Sequence, residues 1–225
     1  MLKKLLSGVS AGILISIGGS IYLSCENKVV GAVLFSVALL CICYKGYSLF
    51  TGKIGFIPEK HNKEAVSVLL LGLLGNAVGT IAFGWLLRAA IPAIGAAAET
   101  LCQGKLDNQA LWQTLVRGLM CGVLMYLAVS IFRDNKTPLG ILFCIPVFIL
   151  SGFEHSIADI YYFAASGIVS LRAFVFLWVV IAGNAIGAVI LPLLNFKKAG
   201  EANALRKRKP GSPSLSPAAV RIFRL

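Results

Sequence analysis

The amino-acid sequence predicts an all-α membrane protein with six transmembrane helices in two inverted three-helix repeats, the second and fifth helices broken. Three observations carry this expectation. Hydrophobic residues make up 58% of the 225 and charged residues 13%, and mean hydropathy is +0.85; soluble domains run at roughly 45–50% apolar and ~25% charged. So few charges cannot cover a water-soluble surface, and the same composition excludes a disordered chain. Six apolar runs supply the roughly 20 residues that each crossing of a hydrocarbon core requires. A Gly-Asn-x-x-Gly pattern then recurs three runs apart.

The first run, residues 5–23, is rich in Gly and Ser. Lys3 and Lys4 precede it, and no small-residue cleavage site follows, so it reads as a retained first helix. The second run takes residues 29–49, the third 65–91, the fourth 111–132, the fifth 138–169 and the sixth 173–196. The chain thus divides into a membrane domain, residues 1–196, and a basic tail rich in Pro and Ser, residues 197–225, expected to be disordered. Cys41, Cys121 and Cys144 lie inside apolar runs, where cysteine behaves as a small hydrophobe. Cys41-x-Cys43 lacks metal-ligand spacing. Cys25 and Cys102 fall in segments read as outer loops, which leaves a disulfide between them open without favouring it.

The formal net charge is +12. In a soluble protein this would point to nucleic acid. Here the basic residues gather in loops and in the tail, so they report topology and no nucleic-acid partner. With the N-terminus inside, the inner segments carry fifteen Lys and Arg and the outer ones five. The inner side still leads, seven to five, when the tail is left out. The excess of basic residues on cytoplasmic segments then predicts a multi-pass protein of the cell membrane with both termini cytoplasmic.

Gly75-Asn76-Ala77-Val78-Gly79 lies in the third run and Gly183-Asn184-Ala185-Ile186-Gly187 in the sixth, 108 residues on. Three crossings separate them, so the two copies traverse the membrane in opposite directions, the mark of an inverted repeat. Glycines four apart, in a Gly-x3-Gly pattern, pack helices closely. Packing alone does not require an Asn beside the first glycine of each copy. A buried amide is costly in lipid without partners. Binding the backbone of a neighbouring broken helix is the favoured role for Asn76 and Asn184; a direct place in a pore is the other.

The fifth run contains Ser151-Gly152-Phe153-Glu154-His155-Ser156-Ile157-Ala158-Asp159. Three ionisable groups within six residues at membrane depth point to function. Gly152 and the serines permit a break, and irregular backbone survives at that depth only inside protein or along a cavity. Glu154 can accept from freed N–H groups, and His155 can donate a hydrogen bond or a proton. A lone buried His is commonly a packing residue; Glu154 and Asp159 beside it, with a break signal, shift the balance towards function. Metal binding is disfavoured, because Glu154 and His155 fall on different helical faces and the other histidine, His61, sits in a loop. No nucleophile turn and no cofactor site is found. In the second run, Leu49-Phe50-Thr51-Gly52 ends an apolar helix and Lys53-Ile54-Gly55-Phe56-Ile57-Pro58 follows. That segment is either an ordinary cytoplasmic loop or the continuation of a second broken helix.

These residues resemble the formate/nitrite transporter family over about residues 5–195. Gly152-Phe153-Glu154-His155-Ser156-Ile157-Ala158 is the strongest motif, and Leu49-Phe50-Thr51-Gly52 and both Gly-Asn-x-x-Gly copies agree in order and spacing. The resemblance implies an aquaporin-like bundle, a homopentamer with one pore per subunit, and transport of a small monovalent weak-acid anion such as formate, nitrite, hydrosulfide, lactate or acetate. It implies that His155 is a central pore histidine faced by Thr51. Phe35 and Phe50 would form the outer constriction; Leu39, Leu49 and Phe148 would form the cytoplasmic one. Asn184 matches a pore-supporting amide. Lys105 corresponds, one residue out of step, to a lysine at the vestibule mouth. Gly122 and Met125 stand where Asn and Val are frequent, Asp159 where some members have Asn, and Ser48 and Lys53 where an acidic residue and an Asn are common.

The expected mechanism follows from the physics of the pore. Phe35, Leu39 and Phe148 would exclude hydrated ions by dewetting, and basic vestibules would gather the anion. The anion would take up a proton and cross as the neutral acid, with His155 supplying either the proton or a hydrogen bond; the sequence does not separate the two. A basic tail beside anionic lipid is the plain account of the C-terminus. Rival readings are a neutral small-solute channel, a non-transporting structural membrane subunit, and an intramembrane enzyme using Glu154 and His155 as acid and base.

Overall fold

Long apolar runs with few breakers become long helices, and polar residues at their ends fix where they begin. The computed structural model describes residues 1–59 and 61–207, with side chains described as far as residue 194. Among these residues the regular structure is entirely helical. The helices are α1 (Leu2–Ser24), α2 (Lys28–Lys45), α3 (Phe50–Lys53, followed by a 3-10 turn at Ile54–Phe56), α4 (Lys63–Ala90), α5 (Pro92–Asn108), α6 (Leu111–Asn135), α7 (Leu139–Leu150), α8 (Ser156–Ser166) and α9 (Leu171–Lys207). Asn27 caps α2 by accepting from Val29 N and Val30 N at 3.0 and 3.1 Å. Asn62 caps α4 through Ala65 N at 2.8 Å. Each cap satisfies N–H groups that the first helical turn leaves without partners.

Five helices among the described residues are long and apolar enough to cross a bilayer: α1, α2, α4, α6 and the Leu171–Leu194 portion of α9. Their outward faces are apolar. Leu70, Leu74 and Val78 follow one another at helical spacing on α4 and are 59%, 55% and 48% exposed, the reverse of a helix that meets water. The inward faces are made of small residues. Gly8 and Gly12 of α1 meet Gly72, Gly75 and Gly79 of α4 so closely that a Cβ on Gly12 would lie 2.5 Å from Asn76 O. Gly118 and Gly122 of α6 meet Gly183 and Gly187 of α9 in the same way, and a Cβ on Gly183 would lie 2.6 Å from Leu115 O. Without water to drive helices together, such backbone approach is how they associate.

Two features depart from the sequence reading. Residues 92–108, read as an outer loop, form α5. Pro92 occupies its first turn, where a missing N–H costs nothing, and the following Ala-rich stretch has high helix propensity. The second run does not remain helical to residue 49: α2 closes on Gly46, at φ 70°, and residues 47–49 are non-helical. Residues 53–58, read as a loop or a broken-helix continuation, begin with helical backbone from α3. All six cysteines are free, and Cys102 is fully buried on α5. The reading of 197–225 as a disordered tail falls on residues whose side chains and, from 208, whose backbone lie outside the described residues.

Candidate functional site

The site is built around two joints. The first separates α2 from α3, the second separates α7 from α8. Gly46 and Gly152, 106 positions apart, both take a left-handed backbone, φ 70° and 68°, which glycine adopts without a Cβ clash. Leu49 and His155, also 106 apart, both close their joints in extended conformation, φ/ψ −91°/126° and −108°/109°.

An asparagine holds each joint. Asn76 Oδ1 accepts from Phe50 N at 2.9 Å, while its Nδ2 donates to Gly8 O and Ser48 O, each at 2.8 Å. Asn184 Oδ1 accepts from Ser156 N, while its Nδ2 donates to Gly118 O and Glu154 O, all at 2.8 Å. Both side chains are fully buried. Each therefore satisfies backbone groups freed by a helix break, which would otherwise be orphaned away from water.

The two joints meet through Thr51 and His155. Thr51 Oγ1 and His155 Nε2 lie 2.8 Å apart, and both residues are buried, 1% and 3% exposed. His155 is also the N-cap of α8, its Nδ1 accepting the Ala158 N–H at 3.1 Å. An Nδ1 that accepts carries no proton, so the neutral ring has its hydrogen on Nε2. His155 then donates to Thr51 Oγ1. The imidazole stacks on Phe148, with ring centroids 5.6 Å apart and planes at 22°. Phe148 in turn meets Phe35 edge-on, at 6.4 Å and 87°.

Beside His155 lies a charged triad. Lys105, from α5, pairs with Glu154 and, at 3.0 Å, with Asp159 Oδ1 on α8. Gln109 Nε2 donates to Glu154 Oε1 at 2.8 Å. The two carboxylates are 2% and 1% exposed, which places one cation between two buried acids.

Two cavities flank this arrangement. The first, about 370 Å³, is lined by Phe35, Phe148, His155, Lys105, Glu154 and Asp159 among others. The second, about 280 Å³, is lined by Leu39, Leu49, Lys53, Phe132, Arg133 and Lys136 among others. Phe35 and Leu39 are four residues apart on α2, so one helical turn, about 6 Å, separates the lining of one cavity from that of the other. Thr51, Phe50 and Met125 are buried and line neither. The expected grouping of Phe148 with Leu39 and Leu49 differs from this division, because Phe148 lines the first cavity with Phe35. Phe50 does not line the first cavity with Phe35; its backbone N–H is bound to Asn76. Gln109 escaped the sequence reading; its position four residues after Lys105, near the end of a helix, is the signal that would have found it. Lys53 was noted for its unusual identity but not for its place in the second cavity. Among the described residues no three His, Cys, Asp or Glu side chains form a group able to hold a metal ion.

Residues 1–196 match the family model described as formate/nitrite transporter. The chain belongs to the formate/nitrite transporter family. Among curated relatives, an uncharacterized transporter of Bacillus subtilis, YwcJ, is 31% identical over 149 residues, covering 60% of this chain and 58% of its own length. The nitrite transporter NirC of Escherichia coli is 26% identical over 172 residues, covering 71% and 63%. The formate channel FocB of the same organism is 24% identical over 180 residues, covering 69% and 64%. The chain thus spans about three-fifths of the length of the curated relatives it matches. Two solved structures share its fold. One is a pentameric formate channel with formate bound, with a TM-score of 0.72 at 23% identity over 88% of this chain and 96% of the other. The second is an FNT family ion channel, with a TM-score of 0.73 at 23% identity over 88% of each chain. The family is one of membrane channels and transporters, which sets aside the intramembrane enzyme.

Proposed function

We propose that this member of the family moves a small monovalent weak-acid anion, such as formate, nitrite, hydrosulfide or a short carboxylate, together with a proton, through a pore in each subunit of a homopentamer. The six crossings of this reading are α1, α2–α3, α4, α6, α7–α8 and α9. They form two inverted three-helix repeats, with the second and fifth crossings broken. The 106-residue register between the joints and the matched bonding of Asn76 and Asn184 support that arrangement. Both termini lie on the cytoplasmic side, in keeping with the Lys and Arg asymmetry.

The observation that carries the function is the Thr51–His155 hydrogen bond. It joins the two breaks at the edge of a cavity that also holds a buried ion triad. An anion entering by the Lys105 side meets Phe35 and Phe148, whose rings oppose passage of a hydrated charge and favour the neutral acid. The two roles open to His155 now differ in support. Its Nδ1 is committed to Ala158 N, so taking up a second ring proton would cost α8 its cap. Donation of a hydrogen bond from Nε2 needs no such loss, and a passing anion would compete with Thr51 for that hydrogen. Leu39 and Leu49 form the apolar part of the inner path, with Lys53 and Lys136 beyond them; Phe50, Met125, Asn76 and Asn184 support its walls.

The test is a stopped-flow panel in proteoliposomes: formate, nitrite, hydrosulfide, lactate and acetate, with internal pH recorded. Flux of at least one anion with matching proton movement is expected, and H155A is expected to abolish it. Flux of uncharged solutes alone would favour a neutral-solute channel. No flux of any solute would favour a structural subunit.

A further inference from the structure

The first cavity holds more acid than one lysine neutralises. Lys105 supplies a single ammonium; Glu154 and Asp159, 2% and 1% exposed, supply two carboxyls. A net negative charge left in such a setting is expensive, and it would repel the anion the cavity is built to receive. The two carboxyls are unequally satisfied. Glu154 has Lys105 on one oxygen and Gln109 on the other. Asp159 has Lys105 on Oδ1, whereas Oδ2 is a buried atom without a hydrogen-bond partner. Other groups bring no second cation. Cys102 from α5, Cys121 from α6 and Tyr162 on the same helix lie close enough to interact with Asp159, and Tyr22 of α1 lines the same cavity. Arg117 lines it too, but its guanidinium bonds Gly152 O and forms no ion pair with either acid among the described residues.

We propose that Asp159 carries a proton on Oδ2 and hands it to the anion in this cavity. The inference rests on the transport reading above and goes beyond it by naming the proton source. The O–H bond of Asp159 breaks as a new O–H, or S–H for hydrosulfide, forms on the anion. The neutral acid then faces Phe148 and Phe35. Asp159 is left as a carboxylate held by Lys105 until a hydronium ion from the open side of the cavity restores its proton. His155 need not titrate in this scheme. Where an Asn stands instead of Asp159, this source is missing and the proton must come from water.

The test uses the full-length protein in lipid. Infrared spectra at neutral pH are recorded for the wild type, Asp159→Asn and Glu154→Gln, with exchange into deuterated water to identify the carbonyl stretch of a protonated acid. That band is expected in the wild type and is expected to shift when the aspartates carry a 13C carboxyl; it is expected to be lost both in Asp159→Asn, whose amide oxygen keeps the bond to Lys105, and in Glu154→Gln, where Lys105 balances Asp159 as a carboxylate. A band that the label does not move puts the proton on Glu154 and overturns the proposal. Formate flux is measured in parallel against pH, and the loss of flux with rising pH is expected to be steeper in Asp159→Asn. A wild-type flux without the band, or with an Asp159→Asn pH profile identical to wild type, overturns the Asp159 proposal alone. A band with no weak-acid flux overturns the transport reading and the handover together.

Discussion

Asn76 and Asn184 make the same three hydrogen bonds, each accepting one backbone N–H and donating to one backbone carbonyl at a helix break and to a second on a neighbouring helix. The equivalence extends to the third partners, Gly8 O and Gly118 O, which belong to the close-packed helices α1 and α6.

Truncating either amide should therefore weaken the fold to a similar degree. Asn76→Ala and Asn184→Ala each leave two buried backbone groups at a break unpaired, Phe50 N and Ser48 O or Ser156 N and Glu154 O, and a cost of about 2–4 kcal/mol is expected. Thermal unfolding of the detergent-solubilised protein measures it. A loss confined to one of the two variants would contradict the equivalence of the joints.

Thr51 should matter through its hydroxyl. Thr51→Val removes the partner of His155 Nε2–H within a buried contact and is expected to cost about 1–3 kcal/mol, with altered flux. Thr51→Ser keeps the oxygen and should restore both the unfolding midpoint and transport. Equal behaviour of Val and Ser would show that the 2.8 Å contact contributes nothing.

The glycine seams give a sharp contrast between two alanine substitutions. On Gly122 a Cβ would run into Asn184 O and stand 2.9 Å from Ala188 N. Gly122→Ala is expected to cost about 1–3 kcal/mol by overpacking and to disturb Asn184. On Gly104 nothing lies within 4 Å, so Gly104→Ala should be neutral or stabilising by about 0.5–1 kcal/mol. Purification yield and unfolding midpoint separate the two.

Lys105→Met strands two buried carboxyls without a cation, and a loss of about 3–5 kcal/mol is expected for breaking such a pair. Adding Glu154→Gln removes one of the stranded acids and should recover most of that loss. A double variant no more stable than Lys105→Met would mean that Lys105 stabilises the site by packing rather than by charge.

The long helices were legible because apolar length and end caps are local properties. Residues 65–91 and 111–132 lie close to α4 and α6 for that reason. The 108-residue repeat was legible because an Asn between small residues has little use except to bind something. The second joint was legible from Gly152 and the ionisable residues beside it. The first was read several residues late, since Leu49 and Phe50 continue an apolar pattern and the break before Phe50 is stabilised from α4, by Asn76. Helix α5 was hidden by Glu99, Lys105 and Asp107, which make a buried-faced helix look like a polar loop. The partnership of Lys105 with Glu154 and Asp159 spans three elements, and no local pattern encodes it.

The register of the joints places Leu49 in the first half of the chain where His155 stands in the second. Two identical half-length chains, related by a twofold axis, could offer a pair of imidazoles or none. Joining the halves in one polypeptide frees each copy to differ at that position, so a near-symmetric scaffold can carry a single imidazole at its heart.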